Sequence, residues 1–227
     1  MNYLKETPWD KRTFGIDTFE LLEEEETALE QTTDQCGHFT LKTNPLSDKR
    51  PLIKHGFYYT DTLLQPVCDK HDLQESDLKG TFISKQGELE TVLRIARESF
   101  VHGRFHKDIN IPNKLADLRY VRWVEDLYEQ NRIFFLYYQD ETMGFIGCKD
   151  EQILLMGVDK KFRSKGLSRP VLIQVCKQLV EDGHDRLTTS ISAVNLPSLN
   201  LFLSIGFKLR GVEEVYHKLN GSLTAVE

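Results

Sequence analysis

Residues 153–168 read ILLMGVDKKFRSKGLS and predict a strand, a basic turn and the start of a helix, in that order. The apolar run 153–158 has the length and composition of one buried strand. A charged turn follows, and apolar residues then recur at helical spacing from Val171 until Gly183. Because the N–H groups at a helix N-terminus lack partners and carry partial positive charge, this order predicts a site for an anion, most often a phosphate.

The turn has features of a phosphate-binding loop. Gly166 removes the side chain where a phosphate would approach the backbone, and Arg163 and Lys165 add positive charge. A nucleotide P-loop requires Lys and then Ser or Thr after its second glycine, whereas Leu167-Ser168 follows Gly166. A dinucleotide-binding fingerprint requires three glycines, and this turn has one. Both are excluded, and an ordinary helix-capping turn with Ser168 as the cap remains the alternative.

Composition indicates a soluble globular protein of one large domain or two small ones. The chain has 227 residues, of which 40% are hydrophobic and 28% charged, and a formal net charge of -6. The negative charge argues against a non-specific nucleic-acid binder. The longest aliphatic-aromatic run, 133–138, is too short to cross a bilayer, and the charged N-terminus does not resemble a signal peptide. We therefore expect a cytoplasmic protein with no nucleic-acid or membrane partner.

The four cysteines do not suggest a metal site or disulfides. Cys36, Cys68, Cys148 and Cys176 are far apart and form no C-x-x-C pair. This spacing is typical of free or buried thiols in a reducing compartment, so we predict no metal site.

Residues 38–67 and 186–219 have the same predicted order of elements. Each runs strand, Asn and Pro, Ser, helix, Gly-Phe, strand, and the Asn-to-Gly spans are 44–56 and 195–206. We interpret them as a degenerate internal repeat, with two unrelated β-α-β segments as the alternative. If the repeat is real, the N-terminal third is a truncated copy that lacks the basic turn and extends the sheet.

From Gly80 the predicted order is β-α-α-β-β-β-α-β-α-β. Helices are expected over 87–100 and 113–130, and strands over 80–84, 132–139, 144–149 and 153–158. After the helix that ends before Gly183 come a strand over 186–193, a helix over 199–205 and a last strand to Leu219. The polar stretch 69–79 is the best candidate linker.

The element order and the basic turn together resemble the GCN5-related N-acetyltransferase (GNAT) superfamily. The pyrophosphate loop of that family reads Arg/Gln-x-x-Gly-x-Gly/Ala, and Arg163, Gly166 and Ser168 stand at its three marked positions, with Ser168 as a departure. The resemblance implies an α/β protein with a mixed, mostly antiparallel central sheet flanked by helices. It also implies two domains, a truncated GNAT-like one over 1–75 and the acetyltransferase domain over 76–227.

Three further stretches resemble a subgroup typified by dTDP-fucosamine acetyltransferase. They are the leader with Trp9-Asp10 and Phe14-Gly15, the segment SFVHGRF at 99–105, and the segment YVRWVE at 120–125. This resemblance implies acetyl-CoA as the donor and, as the acceptor, a small-molecule amine on a nucleotide-linked amino sugar.

The family resemblance also implies roles for individual residues. A backbone N–H on strand 154–158 would polarise the thioester carbonyl, and Gly157 would mark a bulge that splays this strand from the next one. Coenzyme A would then contact the residues of the splayed strand, of the basic turn and of the later Asn. These are Met156, Gly157, Val158, Arg163, Ser164, Lys165, Gly166, Leu167, Ser168 and Asn195.

Acceptor residues are expected in two other segments. In the first, Arg104 and Asp108 would contact the acceptor, Arg104 through a phosphate, and His106 would act as a base. In the second, Tyr120 and Trp123 would stack on a base or sugar. The alternatives are that His106 and Asp108 are solvated loop residues, and that Tyr120 and Trp123 belong to the core.

One position departs from the family and keeps several functions open. The family often places a Tyr, the acid for the thiolate, four residues before Gly-Phe, and Phe202 stands there in this chain. The general acid is therefore unknown. An acetyl-CoA-dependent N-acetyltransferase is the leading hypothesis, a non-catalytic CoA-binding sensor or scaffold the second, and an acyltransferase with another donor the third. The sequence leaves open the acceptor, the acyl length and the oligomeric state, including a homodimer.

Overall fold

The computed structural model describes residues 2–77, 80–101 and 103–223, which form two compact units. Unit 1 lies within Met1–Leu63, His102–Arg119 and Val212–Glu227, and unit 2 comprises Leu64–Val101 and Tyr120–Gly211. None of the helices in these residues combines the length and apolarity that a membrane span requires.

The elements are numbered here in chain order. The strands are β1 (Leu4–Glu6), β2 (Thr18–Leu21), β3 (Gly37–Thr43), β4 (Tyr58–Asp69), β5 (Thr81–Ser84), β6 (Ile133–Tyr138), β7 (Glu141–Lys149), β8 (Gln152–Val158), β9 (Arg186–Thr189), β10 (Ile191–Ser192) and β11 (Lys208–Asn220). The helices are α1 (Pro8–Phe14), α2 (Glu26–Glu30), α3 (Arg50–Lys54), α4 (Leu89–Arg97), α5 (Arg104–Lys107), α6 (Asn113–Glu129), α7 (Ser168–Glu181) and α8 (Leu196–Ser204). Short 3-10 turns occupy Lys70–Asp72 and Lys160–Phe162.

The predicted order from residue 80 onward is confirmed, with two differences. The strand expected over 186–193 is broken into β9 and β10, and the short helix α5 is inserted between α4 and α6. In the N-terminal part, β1 and α1 have no counterpart among the predicted elements.

Two side-chain positions define the N-terminal part further. Ser47 does not cap α3, because its hydroxyl donates to Glu24 Oε1 at 2.6 Å and Lys49 occupies the N-cap. In the leader, Phe14 is fully buried whereas Trp9 is 47% exposed, so Phe14 is the anchor.

Unit 2 is built on a sheet in the order β4-β9-β8-β7-β6-β5. Its strand pairs are antiparallel except for the parallel pair of β8 and β9. Helices α4 and α6 cover one face through a cluster that includes Val92, Val124 and Phe145. The opposite face packs against α7 and α8 through a second cluster, which includes Val171 and Phe202. This is the mixed, mostly antiparallel sheet flanked by helices that the resemblance implies.

Unit 1 contains a smaller sheet, in which β2 pairs with β1 and β3, and β3 pairs with β11. Phe19 and Phe39 stack on this sheet with ring centroids 5.3 Å apart, and α2 and α3 contribute Leu29 and Leu52 to the same core. A second apolar cluster joins Phe14 of the leader to side chains of α5, α6 and the loop between them. Its other members are Phe105, Ile111, Leu115 and Ala116.

The helices of the two repeat segments end in the same way. Gly56 and Gly206 both have positive φ, +81° and +110°, and each is followed by a buried Phe. The N–H of Phe57 donates to Leu52 O at 2.9 Å, and that of Phe207 donates to Phe202 O at 3.2 Å. This six-residue hydrogen bond after a left-handed glycine is the Schellman motif, and its presence in both segments supports the repeat interpretation.

The two segments also exchange their last strands. The first strand of the first segment, β3, pairs with residues 214–220 of β11, which is the last strand of the second segment. The first strand of the second segment, β9, pairs with residues 67–69 of β4, which ends the first segment. The compact units are therefore discontinuous in sequence, and the predicted domain boundary at 75/76 stays a prediction.

The predicted linker is attached to unit 2. Lys70 N–H donates to Asp185 O at 2.9 Å, and Gln74 N–H donates to Ile205 O at 3.0 Å. A Cβ placed on Gly206 would lie 2.1 Å from Asp72 O. Gly206 therefore serves both the end of α8 and the close approach of this segment.

Replacing Gly206 by Ala tests that close approach. Gly183→Ala is a matched control, since Gly183 also has positive φ, +103°, but no atom lies within 4 Å of its added Cβ. We expect Gly183→Ala to lower the free energy of unfolding by about 1–2 kcal/mol, the cost of a left-handed residue. Gly206→Ala should lower it by about 2–5 kcal/mol, because a steric clash with backbone adds to that cost. Urea unfolding measures both, and equal losses would contradict the close approach.

The cysteines give a second prediction, on reactivity. All four are free thiols; Cys36 is exposed, whereas Cys68, Cys148 and Cys176 are buried. Burial raises the pKa of Cys68 to about 11 and of Cys148 to about 12, and it also raises that of Cys176. Because the thiolate is the reactive form, we expect a disulfide reagent at pH 8 to modify one thiol quickly and the other three only after unfolding. Cys36→Ser should abolish the fast phase, and any fast thiol that remains in that variant would contradict the burial.

Candidate functional site

The basic turn of unit 2 is anchored at both ends by buried side chains. Phe162 and Leu167 belong to the core cluster beneath α7, and the residues between them, 163–166, are exposed. At the start of the turn, Asp159 accepts from Lys161 N–H at 3.0 Å and from Arg94 Nη2 at 2.7 Å. Burial alone would raise the pKa of the Asp159 carboxyl, but these hydrogen bonds hold it below its ordinary value. The turn thus presents a short exposed segment on a well-held base.

The backbone of the turn has two left-handed residues, Ser164 at φ +60° and Gly166 at φ +71°. Helix α7 begins at Ser168 with Leu167 at the N-cap and no side-chain cap, so the prediction that Ser168 caps the helix is wrong. Since no side chain caps the first turn, its N–H groups are available to an anion. The strand, turn and helix order predicted for 153–168 is confirmed.

Arg163 has a different role from the one its charge suggested. Its Nε donates to Val158 O at 2.8 Å, and its Nη2 donates to Ser99 Oγ at 3.1 Å. Ser99 follows α4, and its hydroxyl in turn donates to Ile95 O at 2.7 Å. Arg163 therefore ties the end of β8 to the end of α4. Lys165, the other predicted cation of the turn, is also exposed, and its ammonium lies 5.8 Å from the centroid of the Phe162 ring.

A β-bulge interrupts β8 at Leu154. On β7, Gly147 pairs with Leu155 while the next residue, Cys148, pairs with Ile153, which leaves Leu154 as the extra residue. Leu154 and Leu155 consequently pack against the same core cluster, the one beneath α4 and α6. A bulge bends its strand and increases the local twist.

The pairing of β8 with β9 ends where the bulge begins. Its register joins Gln152 to Thr188 and Ile153 to Thr189, and no further pair of these strands occurs in the described residues. The splay predicted between them is therefore present. The bulge responsible is at Leu154, however, so the expectation that Gly157 marks it is wrong.

The splay exposes backbone groups of β8. Asp159 N–H donates to Met143 O on the β7 side at 2.9 Å. Successive residues of a strand direct their N–H and C=O groups to opposite edges, so Gly157 also faces β7. Met156 and Val158 then face the opened edge, where Arg163 already binds Val158 O.

Gly157 is required by packing. A Cβ at this position would lie 2.5 Å from Cε1 of Phe145 and 3.2 Å from Ile95 Cγ2. The ring of Phe145 thus packs on Gly157, on the sheet face that α4 and α6 cover. Gly157 lies between Met156 and Val158, whose N–H groups face the opened edge.

Aromatic rings continue outward from Phe145. Phe100 meets Phe145 edge-on at 6.3 Å and stacks on Tyr120 at 4.8 Å, and Tyr120 lies 6.4 Å from Trp123. Phe100, Tyr120 and Trp123 are each partly buried and pack against the cluster beneath α4 and α6. Tyr120 and Trp123 therefore lie at the border of the core. They contribute to core packing, and their partial exposure also allows them to stack on a ligand.

At the other side of the turn, a groove of about 550 Å³ adjoins Gly166. Its lining combines the start of α7 with the acidic end of the predicted linker: Glu75, Ser76, Asp77, Gly166, Arg169 and Pro170. Arg169 Nη1 donates to Glu75 O at 3.1 Å. The exposed turn is thus open to a ligand on this side.

The two remaining predicted positions of unit 2 lie at α8. Asn195 is the N-cap, and its Oδ1 accepts from Ser198 N–H at 3.3 Å, which is the ordinary role of a residue before a helix. Phe202 is buried and packs edge-on against Phe207 at 5.0 Å. It occupies the same place in the Schellman motif as Leu52 does in the first repeat segment.

The first acceptor segment belongs to unit 1. His106 Nε2 lies 2.9 Å from Asp117 Oδ1, and the Arg104 guanidinium is 4.8 Å from the centroid of the Phe105 ring. Asp108 is fully buried and accepts hydrogen bonds from two histidines and a tyrosine, so it is neither a solvated loop residue nor exposed to an acceptor. Its predicted contact with the acceptor finds no support.

Sequence reasoning missed three features of the site. Ser99 and the hydrogen bond from Arg94 to Asp159 escaped notice because the partners in each contact are 64 and 65 residues apart. The bulge at Leu154 was missed because an aliphatic residue carries no bulge signal. A partial signal existed for Ser99, which lies in the stretch 99–105 that resembles the acetyltransferase subgroup.

Comparisons with known proteins agree with this geometry. The family model described as "FR47-like protein" matches residues 144–221, which include β8, the turn and α7. A GCN5-related N-acetyltransferase from Sphaerobacter thermophilus superposes with a TM-score of 0.62 at 10% identity, over 98% of this chain and 78% of that one. A GNAT-family acetyltransferase from Colwellia psychrerythraea gives 0.58 at 14% identity, over 88% and 78%.

A tandem GNAT protein from the clavulanic acid biosynthesis pathway is also similar, with a TM-score of 0.52 at 11% identity over 92% of this chain and 77% of that one. No curated protein matches the sequence significantly. The chain therefore has the fold of the GCN5-related N-acetyltransferases.

Replacing Gly157 by Ala tests the packing at the opened strand. The added methyl group collides with the Phe145 ring, so we expect a loss of about 1–3 kcal/mol in the free energy of unfolding. Phe145→Leu removes the ring, and the double variant should be more stable than the sum of the two single losses by about 0.5–3 kcal/mol. Urea unfolding of the four proteins gives this coupling, and strict additivity would contradict the contact.

Proposed function

We propose that the protein is an acetyl-CoA-dependent N-acetyltransferase that acts on a small amine. The observation that carries this proposal is the combination of an opened strand edge on β8 with an uncapped, exposed turn at the start of α7. The edge suits an extended amide-containing arm, which can form strand-like hydrogen bonds, and the turn suits a diphosphate. Coenzyme A contains both groups in one molecule.

The residues present fit the donor. The N–H groups of Ser164 to Ser168 and the charge of Lys165 would hold the diphosphate, and Met156 and Val158 would pair with the arm. Acetyl-CoA supplies the thioester. An N–H of Met156 or Val158 would polarise its carbonyl, because both face the opened edge. Arg163 and Ser99 act by positioning, since they tie β8 to α4. A contact of Asn195 with the cofactor remains a prediction.

The chemistry requires a new C–N bond, loss of the C–S bond, loss of a proton from nitrogen and gain of one by sulfur. Holding the amine and the thioester together is the principal contribution expected from the protein. Phe202 has no proton to give, and it lies in the core. Water is therefore the proposed proton donor to the thiolate.

For the acceptor, we propose an amine carried by a ring-containing molecule, such as a nucleotide-linked amino sugar. Tyr120 and Trp123 support this, because they lie at the outer end of the series of aromatic contacts that begins at Phe145. Phe145 packs on Gly157, beside which the thioester carbonyl would lie. The resemblance of 99–105 and 120–125 to the dTDP-fucosamine acetyltransferase subgroup points the same way. The roles of Arg104 as a phosphate partner and His106 as a base remain predictions.

A non-catalytic CoA-binding role is the second candidate, and Phe202 favours it because the usual acid is missing. An acyl donor other than acetyl-CoA is a third. Cytoplasmic location, the absence of nucleic-acid and membrane partners, and a homodimer also stay predictions.

The cofactor part of the proposal is tested at the two ends of α7. Gly166→Ala adds a methyl group where the diphosphate approaches, and Gly183→Ala adds one at the other end of the same helix, where it meets nothing within 4 Å. We expect Gly166→Ala to raise the Kd for CoA at least tenfold and Gly183→Ala to leave it unchanged, as measured by calorimetric titration. Wild-type protein that fails to bind CoA, or equal affinities in all three proteins, would overturn the proposal.

Catalysis needs its own measurement. Protein, acetyl-CoA and a panel of amines that includes dTDP-linked amino sugars are incubated, and acetylated product is followed by mass spectrometry, which avoids the reactive Cys36. We expect product from an amino sugar, with the rate reduced in Gly166→Ala at subsaturating acetyl-CoA. Tight CoA binding without product from any amine would favour the non-catalytic role. Product formed from another acyl-CoA alone would favour the third candidate.

A further inference from the structure

Unit 1 contains a buried cluster of two histidines and an aspartate that plays no part in the proposed acetyl transfer. His38 lies on β3, Asp108 follows α5, and His217 lies on β11. Their side chains are 2%, 0% and 0% exposed. Asp108 Oδ2 lies 3.2 Å from His38 Nε2 and 2.7 Å from His217 Nδ1. One nitrogen of each ring and one carboxylate oxygen lie within 4.8 Å of one another.

The cluster carries a buried negative charge. Burial alone would raise the pKa of Asp108, but hydrogen bonds from His217, His38 and Asn110 N–H hold it well below its usual range. An ionised carboxylate in the core requires a compensating cation.

Two basic residues of the surrounding segments bind other carboxylates. Lys107 pairs with Asp61 at 2.5 Å, and Arg119 pairs with Asp10 at 2.9 Å. Neither of these ion pairs includes Asp108. Neither Lys107 nor Arg119 is therefore the cation of the cluster, although the positive charge of Arg104 acts on His217.

His217 has a second property that points to a ligand. Its Nε2 is buried and has no hydrogen-bond partner among the described residues. Hydrogen bonding within unit 1 thus leaves this ring half satisfied, although an unpaired buried polar atom is costly. In the tautomer that carries its proton on Nε2, Nδ1 directs its lone pair at Asp108 Oδ2, so an ion between these residues would bind His217 through Nδ1.

The cluster already has the outer contacts that metal ligands usually need. Tyr58 donates its phenol O–H to Asp108, at 2.9 Å from Oδ1 and 3.1 Å from Oδ2. Asn110 N–H donates to Asp108 Oδ1 at 2.9 Å. Such partners hold a ligating carboxylate in one orientation.

We propose that His38, Asp108 and His217 form a binding site for one transition-metal ion of the Zn²⁺ class. Two imidazoles and a carboxylate are ligands that Zn²⁺ accepts, at about 2.0–2.2 Å from each ligand atom. Atoms at that distance from one ion are at most about 4.4 Å apart, so small movements bring the three together. The ion ties β3 and β11 of unit 1 to the segment after α5, and its role is structural.

The test uses tag-free full-length protein, because a histidine tag would bind the same ions. After treatment with a chelator and its removal, Zn²⁺ and Co²⁺ are titrated separately by calorimetry, with Mg²⁺ as the negative control. We expect one Zn²⁺ per chain with a Kd below about 1 μM, visible absorption bands from bound Co²⁺, and no binding of Mg²⁺, which prefers oxygen ligands. At a free Zn²⁺ of about a hundred times Kd, Tm should rise by about 5–10 °C.

Variants assign the site. Asp108→Asn keeps the size of the side chain and removes the charge, and His38→Gln removes a ring nitrogen; each should weaken Zn²⁺ binding at least a hundredfold. His55→Gln is the matched control, because His55 is a partly buried histidine of unit 1 that bonds to Glu26 outside the cluster. It should bind Zn²⁺ as the wild type does.

Two results would overturn the proposal. The first is wild-type protein that binds neither Zn²⁺ nor Co²⁺ and has the same Tm with and without chelator, which would leave a purely hydrogen-bonded triad. The second is unchanged Zn²⁺ affinity in Asp108→Asn or His38→Gln. If either variant fails to fold, the wild-type titration and the other variant still decide. These readouts are independent of CoA binding and acetyl transfer.

Discussion

The single extra residue in β8 is the constraint on which the candidate site depends. Leu154 has no partner on β7, so two successive leucines turn to the same face and the strand bends. Pairing with β9 stops one residue earlier, at Ile153. A regular strand would satisfy its N–H groups along both edges, whereas the bent one leaves those of Met156 and Val158 without a neighbouring strand. An exposed edge is a hazard for aggregation unless something occupies it, and an extended ligand arm is one occupant.

The charged side chains near this edge differ in role: one stabilises the local structure, and the other is available for the proposed binding. Arg163 was expected to meet the phosphate, but it bonds to Val158 O and Ser99 Oγ, so its contribution is to hold the turn against α4. In the proposed complex, binding of the anion is left mainly to backbone N–H groups and to Lys165. Backbone groups in an anchored turn are already ordered before the ligand arrives, which reduces the entropic cost of binding.

The two repeat segments share the same local structure but differ in their roles. Both end their helix with a left-handed glycine and a buried Phe, and both give their last strand to the other segment's first strand. Leu52 and Phe202 hold equivalent places, and each is a core residue. The absence of a tyrosine at Phe202 is therefore consistent with the packing of this chain. Only the second segment follows the bulged strand and the basic turn, which is why the candidate site belongs to unit 2.

Local sequence was sufficient for the elements from residue 80 onward, for the turn at 163–168 and for the GNAT fold, because periodicity and turn residues act over a few positions. It was insufficient for the bulge, for the partner of Arg163 and for the cap of α7. The cluster of His38, Asp108 and His217 was also out of reach, since those residues are 70 and 109 positions apart. Tertiary structure decided these features, because strand register and side-chain packing depend on which distant segments meet, and single-chain patterns do not record that.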